Sequence, residues 1–484
     1  MTTLQSHQPL RKQAIWVVAC RVVGIAATLA SNIVAARLLG PAEFGAYLLV
    51  TTVIALGSVL AMAGLNEAAL RFISESLAHG QTGLARSYLN RSLKTAAIAS
   101  AVAAVVATGG FALLRAVAGQ TQQSLALLAL VAVGITVLAW QQLGAELVRA
   151  YGDIRLASLF SGGQTGGPLS NLLFLAGLCA ATFAAAKIDA TLAAGLAVGS
   201  FCLTCPLLYL GLSRLSRVPN AEPASSSRLS PVQRRELLSV GSLLLVNQLL
   251  AFATQQFDIW LAGGLLTPEA LGLYGAAKRS LLVAAMPVQM AMLTIVSTIP
   301  RLHARGRTAE LERLARGAAT AAAVPALVAL LALTIFPRPI LSFVLGGAYA
   351  GAETTLLVMA LGYFVLVLAG NPQQLLTMTG RHRTVLAVNF ASALTLVVVG
   401  VIGGYFFGAP GLAAGSAASL ALQNGALWWF ARRELGIWTH VGLPVALTHR
   451  ADVPADHVLL PPREPNRAEL DRLPEPLSSS GVCP

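Results

Sequence analysis

The sequence predicts an all-α integral membrane protein of about twelve transmembrane helices in two parallel six-helix lobes. Three observations carry that prediction. About twelve apolar runs of roughly 20 residues or more recur along the chain, the length that crosses about 30 Å of hydrocarbon as α-helix. Basic residues sort onto one side when those runs are threaded back and forth across a membrane. The two halves of the chain also repeat each other at a nearly constant offset. Composition agrees, with 56% hydrophobic residues, 11% charged and a mean hydropathy of +0.71, where a soluble protein carries about 25% charged residues.

The first span, at about 14–36, follows the polar start MTTLQSHQPLRKQ, which has no small-residue cleavage pattern and reads as an uncleaved cytoplasmic start. Spans two to six follow at about 42–65, 95–117, 124–148, 157–183 and 188–211. The stretch from Ser213 to Glu236, centred on PNAEPASSSRLSP, has the Pro and Ser content of a flexible connector. Spans seven to twelve run at about 237–262, 270–299, 317–337, 352–377, 384–406 and 410–431. The expected division is an N-terminal lobe 1–212, a cytoplasmic linker 213–236, a C-terminal lobe 237–435 and a cytoplasmic tail 436–484. The tail holds Pro444, Pro454, Pro461, Pro462, Pro465, Pro474 and Pro476, has no means of building a core, and is expected to be disordered.

With the N-terminus inside, the cytoplasmic segments hold 26 of the 33 basic residues, among them Arg71, Arg86, Arg149, Arg155, Arg234, Arg235, Arg301, Arg381, Arg432 and Arg433. Only Arg37, Arg115, Lys187 and Arg338 fall opposite, and Arg21, Lys278 and Arg279 fall within spans. Shifting the topology by one span reverses that ratio, so both termini are expected on the cytoplasmic side. The same bias accounts for the net charge of +13 without nucleic acid as a partner.

Between spans one and two the chain reads RLLGPAEFGAY, and between spans seven and eight GLLTPEALGLY. Pro41, Gly45 and Tyr47 thus match Pro268, Gly272 and Tyr274 at an offset of 227, while Gly152 and Arg155 match Gly380 and Arg383 at 228. Each half has an even number of spans, so the repeats are parallel and related by an axis along the membrane normal.

A charge inside a span costs several kcal/mol at the bilayer centre and needs a partner or a wet cavity. Four stand out: Arg21 in span one, Asp258 in span seven, and Lys278 and Arg279 in span eight. On one reading Arg21 and Arg279 face a cavity, where a guanidinium takes a pair of pyrophosphate oxygens. On the other, Arg21 snorkels and Asp258 pairs with Lys278 or Arg279 to join two helices. Asn247, Ala251, Gln255 and Asp258 share one side of span seven, suited either to a sugar-lined cavity or to interhelical hydrogen bonds. SGGQTGGPLSN in span five lacks the GKS or GKT ending of a phosphate loop and reads as close helix packing with a kink, and Gly411 and Gly415 read the same way. All seven histidines lie outside the spans, and no metal site or cofactor is expected.

The segments ARLLGPAEFGAY (Ala36 to Tyr47) and QQFDIWLAGGLLTPEALGLYGAAKR (Gln255 to Arg279) resemble those of the polysaccharide-export flippases, relatives of the O-antigen flippases. Their superfamily includes the lipid II flippases and the multidrug and toxin extruders. The resemblance covers about residues 10–435. It implies two lobes forming a V around a central cavity, rocking between inward-open and outward-open states in a bacterial inner membrane. The implied cargo is an undecaprenyl-pyrophosphate-linked oligosaccharide moved from the cytoplasmic to the periplasmic leaflet, with membrane lipids, a coupling cation and polysaccharide assembly enzymes as further partners. The expected cargo ligands are Arg21, Arg279, Lys278, Asp258, Asn247 and Gln255. A cation-coupled multidrug extruder and a non-transporting scaffold are the rival readings, and no enzyme activity is expected.

Overall fold

Hydrocarbon offers no water to backbone N–H and C=O groups, so a spanning segment must close its hydrogen bonds within itself. The computed structural model describes residues 10–117, 125–162, 166–184, 188–216, 229–296 and 298–442, and every regular element among them is helical. α1 (Leu10–Met62) is two spans joined at a bend. Gly40 there takes φ +70°, a conformation a side chain resists, and Pro41 opens the second half, where its missing N–H leaves nothing unpaired. Gly64 turns the chain into α2 (Leu65–Ala78). α3 (Thr82–Val117) and α4 (Leu125–Ala150) follow.

The fifth span is broken outright where a kink was expected. α5 (Ile154–Phe160), capped by Asp153, gives way to α6 (Pro168–Phe183). A Cβ on Gly167 would lie 2.4 Å from the Phe160 carbonyl carbon, so the glycines let the two half-helices touch by their backbones. Residues 163–165 of that motif lie outside the described residues. α7 (Ala190–Leu215) completes the first lobe.

The second lobe holds α8 (Pro231–Leu265), α9 (Pro268–Ile295), α10 (Ile299–Ala304), α11 (Thr308–Ile335) and α12 (Pro337–Val344). A 3-10 turn (Gly347–Ala352), α13 (Glu353–Ala369), α14 (Pro372–Met378) and α15 (His382–Leu435) follow. α15 bends at Gly408 ahead of Pro410, as α1 bends at Gly40. Among the described residues, eight continuous helical stretches are long and apolar enough to cross a membrane. The two bent ones hold two spans each. α6, with 16 residues, and α9, which carries Lys278 and Arg279, supply the rest of the expected twelve. In the last pair, Cβ atoms on Gly411 and Gly415 would fall 1.9 Å from Gly403 O and 2.4 Å from Gly400, so spans eleven and twelve cross in close contact.

Two expected boundaries shift. The helices run to Leu215 and resume at Pro231, inside the ends assigned to the linker, and residues 217–228 lie outside the described residues. The ordered lobe also extends past residue 435. Residues 436–442, placed by sequence in the disordered tail, fold back as a strap: Thr439 Oγ1 donates to Ala369 O at 2.8 Å and the Val441 N–H to Leu368 O at 3.0 Å. Those carbonyls are left open where α13 breaks at Gly370 and Asn371, both left-handed, and an open carbonyl in a dry bundle requires a donor. The remainder of the tail, 443–484, lies outside the described residues.

The repeat motif is where the lobes meet. A Cβ on Gly45 would lie 2.4 Å from Pro268 O, and one on Gly272 would lie 1.8 Å from Pro41 O. Gly275 faces Leu48 in the same way, its Cβ falling 2.1 Å from Leu48 Cδ1. Each pair is matched at the offset of 227, so the contact is reciprocal, as across a two-fold axis. Gly272→Val is therefore expected to lower the unfolding temperature of the detergent-purified protein, corresponding to about 1–3 kcal/mol of overpacking. Gly195→Val, with nothing within 4 Å of its Cβ, is expected to leave that temperature unchanged.

Candidate functional site

A polar side chain inside a span either satisfies itself locally or faces water. The second repeat does the first with all but one of its charges. Asp258 is 3% exposed and accepts from Lys278 Nζ at 2.6 Å, from the Tyr274 hydroxyl at 3.0 Å and from the Ile259 N–H at 2.9 Å. Lys278 Nζ also donates to Gln255 O at 2.5 Å. Two of the six expected cargo ligands, Lys278 and Asp258, are thus spent on each other, joining α8 to α9.

Arg279, one residue on and about 100° around the helix, lines a cleft between the lobes. The cleft opens to solvent and has about 770 Å³ of unfilled space with that solvent included. Thr28, Ser31, Asn32, Tyr47, Thr51 and Thr52 of α1 form one wall, Asn171 and Phe174 of α6 with Ser200 and Phe201 of α7 a second, and Gln256 of α8 joins Arg279 from the other lobe. Among the described residues Arg279 makes no ion pair and no hydrogen bond, and it is part of the cleft lining. Arg21 is exposed and shares the Thr28 and Asn32 face of α1, about 10 Å further along the helix.

Asn247 and Gln255 are exposed but do not line the cleft. They belong to the stripe that runs up α8 to the buried Asp258, and the cleft takes Gln256, the next residue round. The stripe was legible in the sequence, yet which side of α8 meets the cleft depends on how α8 leans on α1, which no local pattern encodes.

The cleft lies between two contacts that join the lobes. At the end opposite the arginine-rich turns, Arg37 donates to the carbonyls of Phe343 and Val344 at the close of α12, and the buried Tyr349 hydroxyl donates to Ala36 O at 2.8 Å. At the arginine-rich end, Gln248 Nε2 donates to Asn66 Oδ1 and Glu67 Oε1, both at 3.0 Å, beside the close approach of Gly64 to Gly241. Sequence reading missed Gln248 and Tyr349. Arg37 carried a signal, as one of the few basic residues on the wrong side of the charge pattern.

Two parallel repeats of six spans around a cleft with one charged residue in its lining define a secondary-transporter architecture. The chain belongs to the polysaccharide biosynthesis protein family, which matches residues 10–303. No curated protein sequence matches it. Among solved structures, an inward-facing multidrug resistance MATE family transporter of the MOP superfamily superposes with a TM-score of 0.68 at 14% identity, over 87% of this chain and 98% of the other. The lipid II flippase MurJ, in an inward closed conformation, superposes with a TM-score of 0.63 at 12% identity over 87% of each chain. The Vibrio cholerae MATE transporter VcmN in its bent form gives 0.52 at 16% identity, over 85% of this chain and 98% of the other. These likenesses establish the fold anticipated from the sequence.

Breaking the buried pair from one side leaves an uncompensated charge. Asp258→Asn and Lys278→Met are each expected to destabilise the protein by about 3–5 kcal/mol. The double variant is expected to recover most of that loss in a double-mutant cycle of detergent unfolding.

Proposed function

We propose that the protein flips an undecaprenyl-pyrophosphate-linked oligosaccharide from the cytoplasmic to the periplasmic leaflet of a bacterial inner membrane by alternating access. The observation that carries this reading is the Arg279 guanidinium, without an ion pair among the described residues and the only charged side chain lining the cleft. A guanidinium presents a fork of donors to a pair of phosphate oxygens. Sharing a fold with a lipid II flippase and belonging to a polysaccharide biosynthesis family are consistent with a lipid-linked sugar cargo.

In this scheme the arginine-rich end and both termini face the cytoplasm, following the positive-inside bias. Arg21 receives the pyrophosphate at headgroup level and Arg279 holds it midway, while the isoprenoid tail stays in lipid. The Gln248 contact opens to admit the head, and the Arg37 and Tyr349 contacts open to release it. An inside-negative potential drives an anion outward by about 2.3 kcal/mol per charge per 100 mV. A cationic drug meets repulsion from Arg279, which sets the extruder reading behind this one.

The test is leaflet assignment of a labelled undecaprenyl-pyrophosphate oligosaccharide in proteoliposomes with an impermeant glycosidase. Protein-dependent transfer is expected, abolished in Arg279→Ala and Arg21→Ala with insertion intact. Full transfer by both variants would refute the cationic path. A short thiol crosslinker joining Asn66→Cys to Gln248→Cys is expected to arrest transfer, while each single cysteine variant continues.

A further inference from the structure

At the offset of 227, Ser31, Tyr47 and Thr51 of the first repeat stand where the second has Asp258, Tyr274 and Lys278. In the second repeat the three close on one another, the Tyr274 hydroxyl and Lys278 Nζ both donating to the Asp258 carboxylate. The first repeat keeps the tyrosine and has no carboxylate for it. Ser31 Oγ turns instead to Asn171 O of α6 at 3.3 Å, and Thr51 Oγ1 to Leu48 O of its own helix at 3.0 Å. The Tyr47 hydroxyl is left without a hydrogen bond among the described residues.

A tyrosine that buries its ring usually finds a partner for its oxygen. Tyr47 is only 7% exposed, and its ring stacks on Phe44 and Phe174 with centroids 6.2 and 6.1 Å away. It lines the cleft, and from the opposite lobe the Arg279 guanidinium lies within Coulombic reach of its hydroxyl. Other donors share the lining. Asn32 Nδ2 donates to Thr28 O at 2.7 Å, and the Asn171 and Gln256 amides set an acceptor oxygen beside their N–H groups. A phenol turns its one O–H to an anion with no such neighbour.

We infer that Tyr47 is a second phosphate ligand of the cleft, its O–H donating to the pyrophosphate that Arg279 holds from the other lobe. This rests on the flippase reading. A pyrophosphate leaving water needs more donors than one guanidinium supplies, and a hydrogen bond to an ionised group is the strong kind. Each repeat then contributes one ligand, and the bound head ties α1 to α9 across the seam.

The test is inhibition of undecaprenyl-pyrophosphate oligosaccharide transfer in proteoliposomes by geranyl pyrophosphate, which carries the phosphates and a short isoprenoid but no sugar. Tyr47→Phe removes the hydroxyl and keeps the stacked ring. It is expected to raise the inhibition constant about tenfold or more. Made in an Arg279→Lys background, the same exchange is expected to have an effect at least about threefold smaller, since the two groups hold one ligand. A general loss of stability does not produce that coupling. An unchanged constant in Tyr47→Phe, equal effects in both backgrounds, or no inhibition of the wild-type protein would overturn the assignment and leave the flippase reading standing. No transfer by the wild-type protein would overturn the flippase reading, and the assignment with it.

Discussion

The backbones of Gly45 and Gly272 touch, and the rest of the arrangement depends on that contact. With no Cβ at either position, the second half of α1 and the start of α9 press together along their length. Residues one to two turns further on then face the seam between the lobes: Thr51 and Thr52 from one repeat, Arg279 from the other. A bulkier pair at the crossing would hold the helices apart and leave Arg279 without an opposing wall. The cleft is therefore a product of the crossing as much as of the residues that line it.

The two repeats share a scaffold and divide the chemistry. At equivalent positions the first has Ser31, Thr51 and Thr52, and the second Asp258, Lys278 and Arg279. In the second, Asp258 neutralises Lys278 and the Tyr274 hydroxyl completes its shell, so three ionisable residues deliver one available positive charge to the seam. The pair also anchors α9 on α8 immediately before Arg279, which restricts the swing of the guanidinium.

The architecture was legible because lipid acts on local composition. Apolar length, loop charge and a repeated motif each report on the membrane without reference to tertiary contacts. The same logic singled out Asp258, Lys278 and Arg279, since an intramembrane charge is conspicuous wherever it lies, but left open which of the two cations Asp258 pairs with. It failed where neutral residues act through partners distant in sequence. Gln248 meets Asn66 across 182 positions, and Tyr349 reaches Ala36 across 313. The segment between spans nine and ten read as a loop because α12 has 8 residues and the turn after it 6, too short for a periodic signal. Gly45 and Gly272 were noticed as a recurring turn, and only the fold reveals them as partners.

The strap at 436–442 has a consequence for how the protein is made. The carbonyl of Ala369 is synthesised 70 residues before the Thr439 hydroxyl that caps it. The break after α13 thus enters the bilayer with its carbonyls open and waits until both halves of α15 have been inserted. Its completion is the closing event in the biogenesis of the second lobe. A nascent chain released just after Leu435 would carry all twelve spans and still lack the groups that seal the tenth.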